Sequence, residues 1–360
     1  MKKKVMVGMS GGVDSSAAAL ILQNEGFDVC GATLKLFSND EIDINSKMRT
    51  CCSLSDVEDA RWVCRKLGID HFVFNFRSAF DRCVIKKFIS SYENGKTPNP
   101  CIDCNKYIKF SKMLERALVL DCDYIATGHY VSSEYDKKTG RYLLKKAADN
   151  TKDQTYVLYN MTQNQLKHTL FPLGKYKKSE IRHIAEENGL INARKPDSQD
   201  ICFVPDGDYA KFIEFSKKSP AKSGNFTDKN GNVLGSHNGI IHYTIGQRKG
   251  LGITFGKPKF VVSKNASDNT VTLGDNEDLF SSTLTACDLN WILIDSLKEP
   301  MRVKIKARYK QPEADGTIAP KDNGDVLVTF DEPVRAISPG QAVVFYKDEY
   351  VVGGGTIKQP

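Results

Sequence analysis

Gly8-Met9-Ser10-Gly11-Gly12-Val13-Asp14-Ser15-Ser16 is the stretch that decides how this chain is read. Just before it, Val5-Met6-Val7 is an apolar run of strand length; just after it, Ser15–Gln23 (SSAAALILQ) is rich in helix formers. A glycine pair between a strand and a helix lets the backbone turn tightly and bring its N–H groups against an anion. Ser10, Ser15 and Ser16 add hydroxyl donors, and the helix N-terminus adds partial positive charge. The segment lacks the lysine of the GxxxxGK[ST] phosphate loop and is therefore a different motif. The plain alternative makes Gly11-Gly12 a turn and Asp14 a helix cap.

Working outward, the strand-then-helix pattern recurs to about residue 130. Val29–Leu36, His71–Asn75 and Asp123–Thr127 read as strands, and Asp56–Leu67 (DVEDARWVCRKL) has helical periodicity. Strands alternating with helices predict βαβ units and a parallel sheet covered on both faces. Ligands bind such sheets at the carboxyl ends of the strands. From about Asp206 glycine and asparagine become frequent (GNFTDKNGNVLGSHNG), and Phe260–Val262, Val271–Leu273, Val303–Arg308 and Val326–Phe330 read as short strands between turns. The expected organisation is an α/β nucleotide-binding and catalytic domain over 1–205, a small central domain over 206–280, and an antiparallel β-barrel or sandwich over 281–360.

Composition sets the class but not the chemistry. Of 360 residues, 40% are apolar and 26% charged, enough for a sizeable core and against disorder. Lys+Arg minus Asp+Glu is 51 − 44 = +7, which permits an anionic partner without identifying one. The apolar run VMVGM is too short for a signal-peptide core or a membrane span. A cytoplasmic protein with reduced cysteines is expected, so its ten cysteines point to metal or sulfur chemistry rather than a disulfide scaffold.

Two cysteine sites stand out. In Thr97-Pro98-Asn99-Pro100-Cys101-Ile102-Asp103-Cys104-Asn105-Lys106, prolines stiffen a loop, and Lys106 and Lys109 favour a thiolate at Cys104. The second is Lys195-Pro196-Asp197-Ser198-Gln199-Asp200-Ile201-Cys202-Phe203. Cys101-x-x-Cys104 alone fits a redox pair, half a zinc site or part of an iron–sulfur site. Zinc is the weakest of these, because there is no second C-x-x-C. Cys30, Cys64, Cys83, Cys122 and Cys287 sit among apolar or helical neighbours and read as core fillers. Cys51-Cys52 belongs to no motif.

SGGxDS resembles the pyrophosphate loop of the PP-loop ATP pyrophosphatases. Together with TPNP-x-x-x-CNK-x-IKF, ATGHY, KDQTY, SQDICFV, YTIGQRKGLG, ARYKQ and SPGQAVVFY, in that order from Gly8 to Tyr346, it resembles the bacterial tRNA-uridine 2-sulfurtransferases of that superfamily. The resemblance implies that Gly8, Met9, Ser10, Gly11, Gly12, Val13, Asp14 and Ser15 bind ATP, with Leu34 and Gly128 in the adenine pocket. Asp14 would help place Mg²⁺ and pyrophosphate, because polyphosphate charge calls for a hard cation. It implies a persulfide on Cys202, with Cys104 as partner nucleophile, and a Cys104–Cys202 disulfide reopened by a reductant. Some members carry Asp where this chain has Cys101. The extra thiol offers an alternative, in which Cys101, Cys104 and Cys202 ligate a [4Fe–4S] cluster.

The implied partners are tRNA and a sulfur-donor protein such as a cysteine desulfurase or a sulfur-relay carrier, with no membrane. Asn99, Pro100 and Cys101 would lie beside a flipped-out target base. His129, Lys152, Asp153, Gln154, Arg308, Tyr309 and Gln341 would contact tRNA. Met301–Lys310 (MRVKIKARYK) fits, since alternation puts Arg302, Lys304, Lys306, Arg308 and Lys310 on one face with no acid among them. A charged edge strand guarding against aggregation has the same pattern. Two rival functions remain: a PP-loop ligase or amidotransferase acting on a small metabolite, and a non-catalytic tRNA-binding protein.

Overall fold

The computed structural model describes residues 2–37, 54–197, 201–254 and 256–359. Cys51-Cys52, and Ser198-Gln199-Asp200 of the second cysteine segment, lie outside the described residues. The chain divides into two units: residues 1–84 with 101–207 and 349–351, and residues 85–100 with 208–348 and 352–360.

The first unit is built on five parallel strands, β1 (Lys4–Gly8), β2 (Asp28–Lys35), β3 (His71–Asn75), β4 (Tyr124–Ala126) and a short fifth strand, Thr169–Leu170, in the order β3-β2-β1-β4-fifth. An antiparallel hairpin precedes that fifth strand; its strands are β5 (Ser132–Asp136) and β6 (Arg141–Lys145), so Thr169–Leu170 becomes β7. Central β1 is apolar because both its faces are covered: Val5, Met6 and Val7 are fully buried. The chain runs outward from β1 through β2 to β3, then returns to β4 on the other side of β1. That reversal opens a crevice at the carboxyl ends of β1 and β4, where ligands of such sheets bind.

Helix α1 (Val13–Asn24) follows β1, and Ala17, Ala18 and Ala19 are fully buried. Their methyl side chains let the helix press close to the sheet and to Ile181 and Ala185 of the helix Lys178–Glu187, in one core. α1 ends where Gly26 takes φ +91°, with Gly26 N–H bonded to Gln23 O and Phe27 N–H to Leu22 O. This is the left-handed glycine stop that satisfies the last carbonyls of a helix. Helix α2 (Leu54–Leu67) packs Ala60, Val63 and Cys64 into the same core. Pro100 opens a helix that runs to Cys104, where proline is tolerated because the first N–H has no helical partner. That helix continues as a π-helical stretch, Asn105–Lys112, and then as Met113–Val119.

The second unit contains a four-stranded sheet of β8 (Gly224–Thr227), β9 (Val233–His237), β10 (Phe260–Asn265) and β11 (Thr270–Gly274), in the order β10-β11-β8-β9. It also contains six strands: β12 (Phe280–Trp291), β13 (Met301–Lys306), β14 (Ala314–Pro320), β15 (Val326–Arg335), β16 (Ala342–Lys347) and β17 (Tyr350–Gln359). Their order is β12-β15-β14-β13-β16-β17, and β12 also pairs with β17. The sheet therefore closes on itself, and of the two expected all-β forms the barrel is the one found. Its interior is filled by Leu284, Val303, Ile305, Val328, Phe345 and Val352, among others. The expected fold class, a parallel-sheet domain with a small central domain and a C-terminal β-barrel, is the observed one.

One strand differs from expectation. β13 stops at Lys306, so Arg308 and Lys310 leave the face that alternation assigned to them. The cause is Arg308 itself, whose guanidinium turns inward to donate to the carbonyls of Ile245 (3.0 Å) and Ala336 (2.7 Å) and to Ser338 Oγ. Among the described residues no helix is long and apolar enough to cross a membrane.

Candidate functional site

Gly12 caps α1 with extended geometry (φ −93°, ψ 163°), and no side chain takes the N–H groups at that end. Asp14 is thus inside the first turn and is not the cap. An uncapped helix N-terminus behind a glycine turn keeps its donors for an anion. Gly11 sits at φ +73°, and a Cβ there would lie 2.5 Å from Asp56 O, so only glycine fits. A Cβ at Gly128, just past β4, would lie 2.7 Å from the Asp14 carbonyl carbon; the end of β4 lies directly against the first turn of α1.

The loop is braced from behind. Ser15 Oγ accepts from Ser10 N–H (3.2 Å) and donates to Gly12 O (3.1 Å). Asn192 Nδ2 donates to Gly11 O (3.1 Å) and Ser16 Oγ (2.8 Å). Lys195 Nζ bonds Gly11 O (3.1 Å), Asp56 (2.6 Å) and Asp59 (2.8 Å). Burial works against the Lys195 charge, but the two carboxylates outweigh it and hold its pKa above the ordinary value.

Beside the loop lies a charge cluster. Lys178 Nζ is 2.7 Å from each oxygen of Asp14, and Tyr130 Oη donates to Asp14 Oδ1 at 2.8 Å. Asp197 accepts from Lys178 (2.8 Å), Lys152 (2.9 Å) and Arg182 (2.9 Å). Burial alone would raise the Asp197 pKa; hydrogen bonds from Lys178 and Lys152 overcome that and hold the carboxyl below its ordinary range. Three cations thus face two carboxylates, a surplus suited to a polyphosphate. Lys178, Arg182, Tyr130 and Asn192 were not singled out from the sequence. The available signal was Lys178 and Arg182 at i and i+4, on one face of a helix directly after the last strand of the sheet. Leu34 lies near the carboxyl end of β2, opposite Phe74 of β3.

Cys104 is buried, Cys202 half-buried and Cys101 exposed. Among the described residues no group of three or more His, Cys, Asp or Glu side chains could hold a metal ion. An Mg²⁺ ion would suit this site as one carried by phosphate oxygens. Cys30 and Cys122 are buried as expected, with their sulfurs 3.9 Å apart.

The remaining candidates divide by what already holds them. Asp153 accepts from Ala147 N–H (3.1 Å) and from Thr155 Oγ1 (2.5 Å), and Gln154 Oε1 accepts from Tyr130 N–H (2.9 Å). Both side chains shape their own loop, leaving Lys152 as the cation of that trio. His129 is buried, with Nδ1 2.8 Å from Thr127 Oγ1; burial first and the Lys109 charge second push its pKa well below the ordinary value. In the second unit, Gln341 Nε2 donates to Thr97 O (2.7 Å) and Thr97 N–H to Pro339 O (2.8 Å). Pro339 and Gln341 of SPGQ thus hold the segment that leads into Asn99 and Pro100. Two cations of the basic stripe meet acids of neighbouring strands: Arg302 grips Asp331 through two bonds (2.7 and 2.6 Å), and Lys304 meets Asp315 at 3.2 Å.

Residues 3–206 match the family described as the tRNA methyl transferase HUP domain, 211–275 its PRC-barrel domain, and 281–357 the aminomethyltransferase beta-barrel domain. The tRNA-specific 2-thiouridylase MnmA of Acetivibrio thermocellus is 56% identical over 99% of both chains. MnmA 1 of Thermoanaerobacter pseudethanolicus is 55% identical and the Clostridioides difficile enzyme 54%, each over 100% of this chain and 99% of its own. The chain belongs to the tRNA-specific 2-thiouridylase family.

Proposed function

We propose that the chain is an ATP-dependent tRNA-uridine 2-sulfurtransferase that replaces the C2 oxygen of the wobble uridine with sulfur. The observation that carries this reading is the full-length likeness to the 2-thiouridylases in a chain whose glycine loop opens, uncapped, at the carboxyl end of β1. A uracil oxygen cannot leave as oxide, so it must first be made part of a better leaving group. The C2 oxygen attacks the α-phosphate of ATP, pyrophosphate departs, and the oxygen is bound as an adenylate. Gly8–Ser15 hold the departing pyrophosphate, Leu34 and Gly128 border the adenine, and Lys178 and Lys152 neutralise phosphate charge beside Asp14. Mg²⁺ bound to the phosphates supplies further charge neutralisation.

Sulfur arrives as a persulfide on Cys202, loaded by a sulfur-donor protein, and AMP leaves from C2 as the carbon–sulfur bond forms. Cys104, as thiolate, attacks the Cys202 sulfur; the S–S bond breaks with its electron pair on the transferred sulfur. This occurs either before or after that sulfur reaches C2. A Cys104–Cys202 disulfide results, and a thiol reductant reopens it by exchange. Asn99, Pro100 and Cys101 lie beside the extruded base. His129, Lys152, Asp153 and Gln154 belong to segments that contact tRNA, and so, separately, do Arg308, Tyr309 and Gln341.

The deciding experiment is mass analysis of the wobble nucleoside in tRNA incubated with the protein, ATP and a sulfur donor. The expected result is an oxygen-to-sulfur mass increase, with AMP and pyrophosphate formed in equal amounts. Unmodified uridine, or ADP and phosphate as products, rejects the reading.

A further inference from the structure

Two buried asparagines outside the phosphate loop bracket Cys104. Asn105, the next residue, is 2% exposed, and its Nδ2 donates to Val157 O at 3.0 Å. Asn160, 5% exposed, donates from Nδ2 to Ile102 O at 3.3 Å, two residues before Cys104. The exchange is reciprocal: each segment lends an amide donor to the other's backbone. Each Oδ1 is buried without a hydrogen-bond partner among the described residues.

The clamp falls where the helix changes character. Pro100–Cys104 is α-helical and Asn105–Lys112 is π-helical, a rare winding that collects at functional sites. The wider turn has its own support at the far end, where Ser111 Oγ donates to Lys106 O (2.6 Å) and Gln165 Nε2 to Ser111 Oγ (3.0 Å). Cys104 is thus the last residue of one helical register, held on both sides at the junction with another.

We propose that Asn105 and Asn160 are positioning residues that fix the α-to-π junction, and so set the attitude of the Cys104 thiol for sulfur transfer. The inference rests on the reading of Cys104 as the partner thiol. Both contacts flank Cys104, so their loss is expected to act on the sulfur step and to spare adenylation. Displacing a reacting group by about 1 Å costs on the order of 100-fold in rate, which sets the scale expected here.

The test compares Asn105→Ala and Asn160→Ala with the parent protein in three measurements: tRNA-dependent pyrophosphate release, 2-thiouridine formation, and the pH profile of iodoacetamide alkylation at Cys104, mapped by peptide mass. The expected result is near-parental pyrophosphate release, 2-thiouridine formation down roughly 10- to 100-fold, and a shifted Cys104 profile with Cys83 and Cys287 unchanged. Should an alanine variant fail to fold, Asn105→Leu and Asn160→Leu keep nearly the same shape without the donor and carry the same readouts. Unchanged thiolation, or thiolation and pyrophosphate release falling in parallel, overturns the positioning role. Cys104→Ser separates the two levels. If it thiolates normally, the assignment of Cys104 has failed; if it is inactive while the asparagine variants match the parent, only the clamp has.

Discussion

Lys178 holds both carboxylate oxygens of Asp14 at 2.7 Å, and the same ammonium lies 2.8 Å from Asp197. Its side chain is 11% exposed, so the charge is largely desolvated and depends on those partners. A triphosphate entering the β1–β4 crevice offers stronger oxygen acceptors to the same cation. Lys178→Met is therefore expected to weaken ATP binding by roughly tenfold or more, about 1.4 kcal/mol. It should also lower stability by around 2 kcal/mol, below the 3–5 kcal/mol of fully buried pairs, because Asp14 keeps Tyr130 and some solvent. ATP titration and urea unfolding measure the two. Asp14→Asn should cut turnover sharply with a smaller loss of stability; unaltered thiolation would make Asp14 a structural residue only.

The cysteines should behave asymmetrically. Cys202→Ser is expected to abolish both sulfur transfer and the enzyme-bound persulfide. Cys104→Ser should abolish turnover but leave Cys202 loadable, and Cys101→Ser should remain active. Persulfide mass mapping on each variant checks this. Loss of activity in Cys101→Ser together with stoichiometric iron in anaerobically purified protein would refute it.

Much of the fold was legible because it rests on local, periodic signals. Val5-Met6-Val7 and His71–Asn75 are where their apolar patterns put them, since β1 is covered on both faces and each strand is followed by a connection to the next. The phosphate turn was legible because Gly11 needs a left-handed backbone and has no room for a Cβ. The partners of Asp14 were not, because Lys178 lies 164 residues away along the chain and only the sheet order brings it in. The same limit misjudged the basic stripe. Alternation within MRVKIK found its outward cations, but Asp315 and Asp331 come from other strands, and the inward turn of Arg308 depends on Ile245 and Ala336.

Arg308 consequently carries a structural expectation beside its proposed tRNA role. Arg308→Ala strips the donor from two carbonyls and should cost about 1–3 kcal/mol, whereas Arg302→Ala, breaking an exposed surface pair, should cost much less. If Arg308 also meets a phosphate, its removal should lower the log–log salt slope of tRNA binding by roughly 0.7–0.9. Urea unfolding and binding across a salt series separate the contributions. Equal stability losses in the two variants would contradict the structural assignment of Arg308.

His129 gives the fold a pH dependence whose sign is fixed by its burial. Its imidazole bonds Thr127 Oγ1 and packs against Phe110, while Lys109 adds like charge. In the unfolded chain the ring takes a proton near its ordinary pKa of 6.5; in the folded chain burial, and secondarily Lys109, keep it neutral to well below that value. Unfolding therefore takes up a proton on the acid side of 6.5. The stability this group contributes is fully present above that pH and is lost as pH falls below it, by at most about 1.4 kcal/mol per pH unit until the folded pKa is reached. His129→Asn retains a hydrogen-bonding side chain but cannot titrate, so its stability should fall less steeply between about pH 6.5 and 5. Urea unfolding of both proteins across that window measures the difference. Parallel pH profiles would show that the ring takes up its proton in the folded state as readily as in the unfolded one, and would make it available as a cation for tRNA phosphate after all.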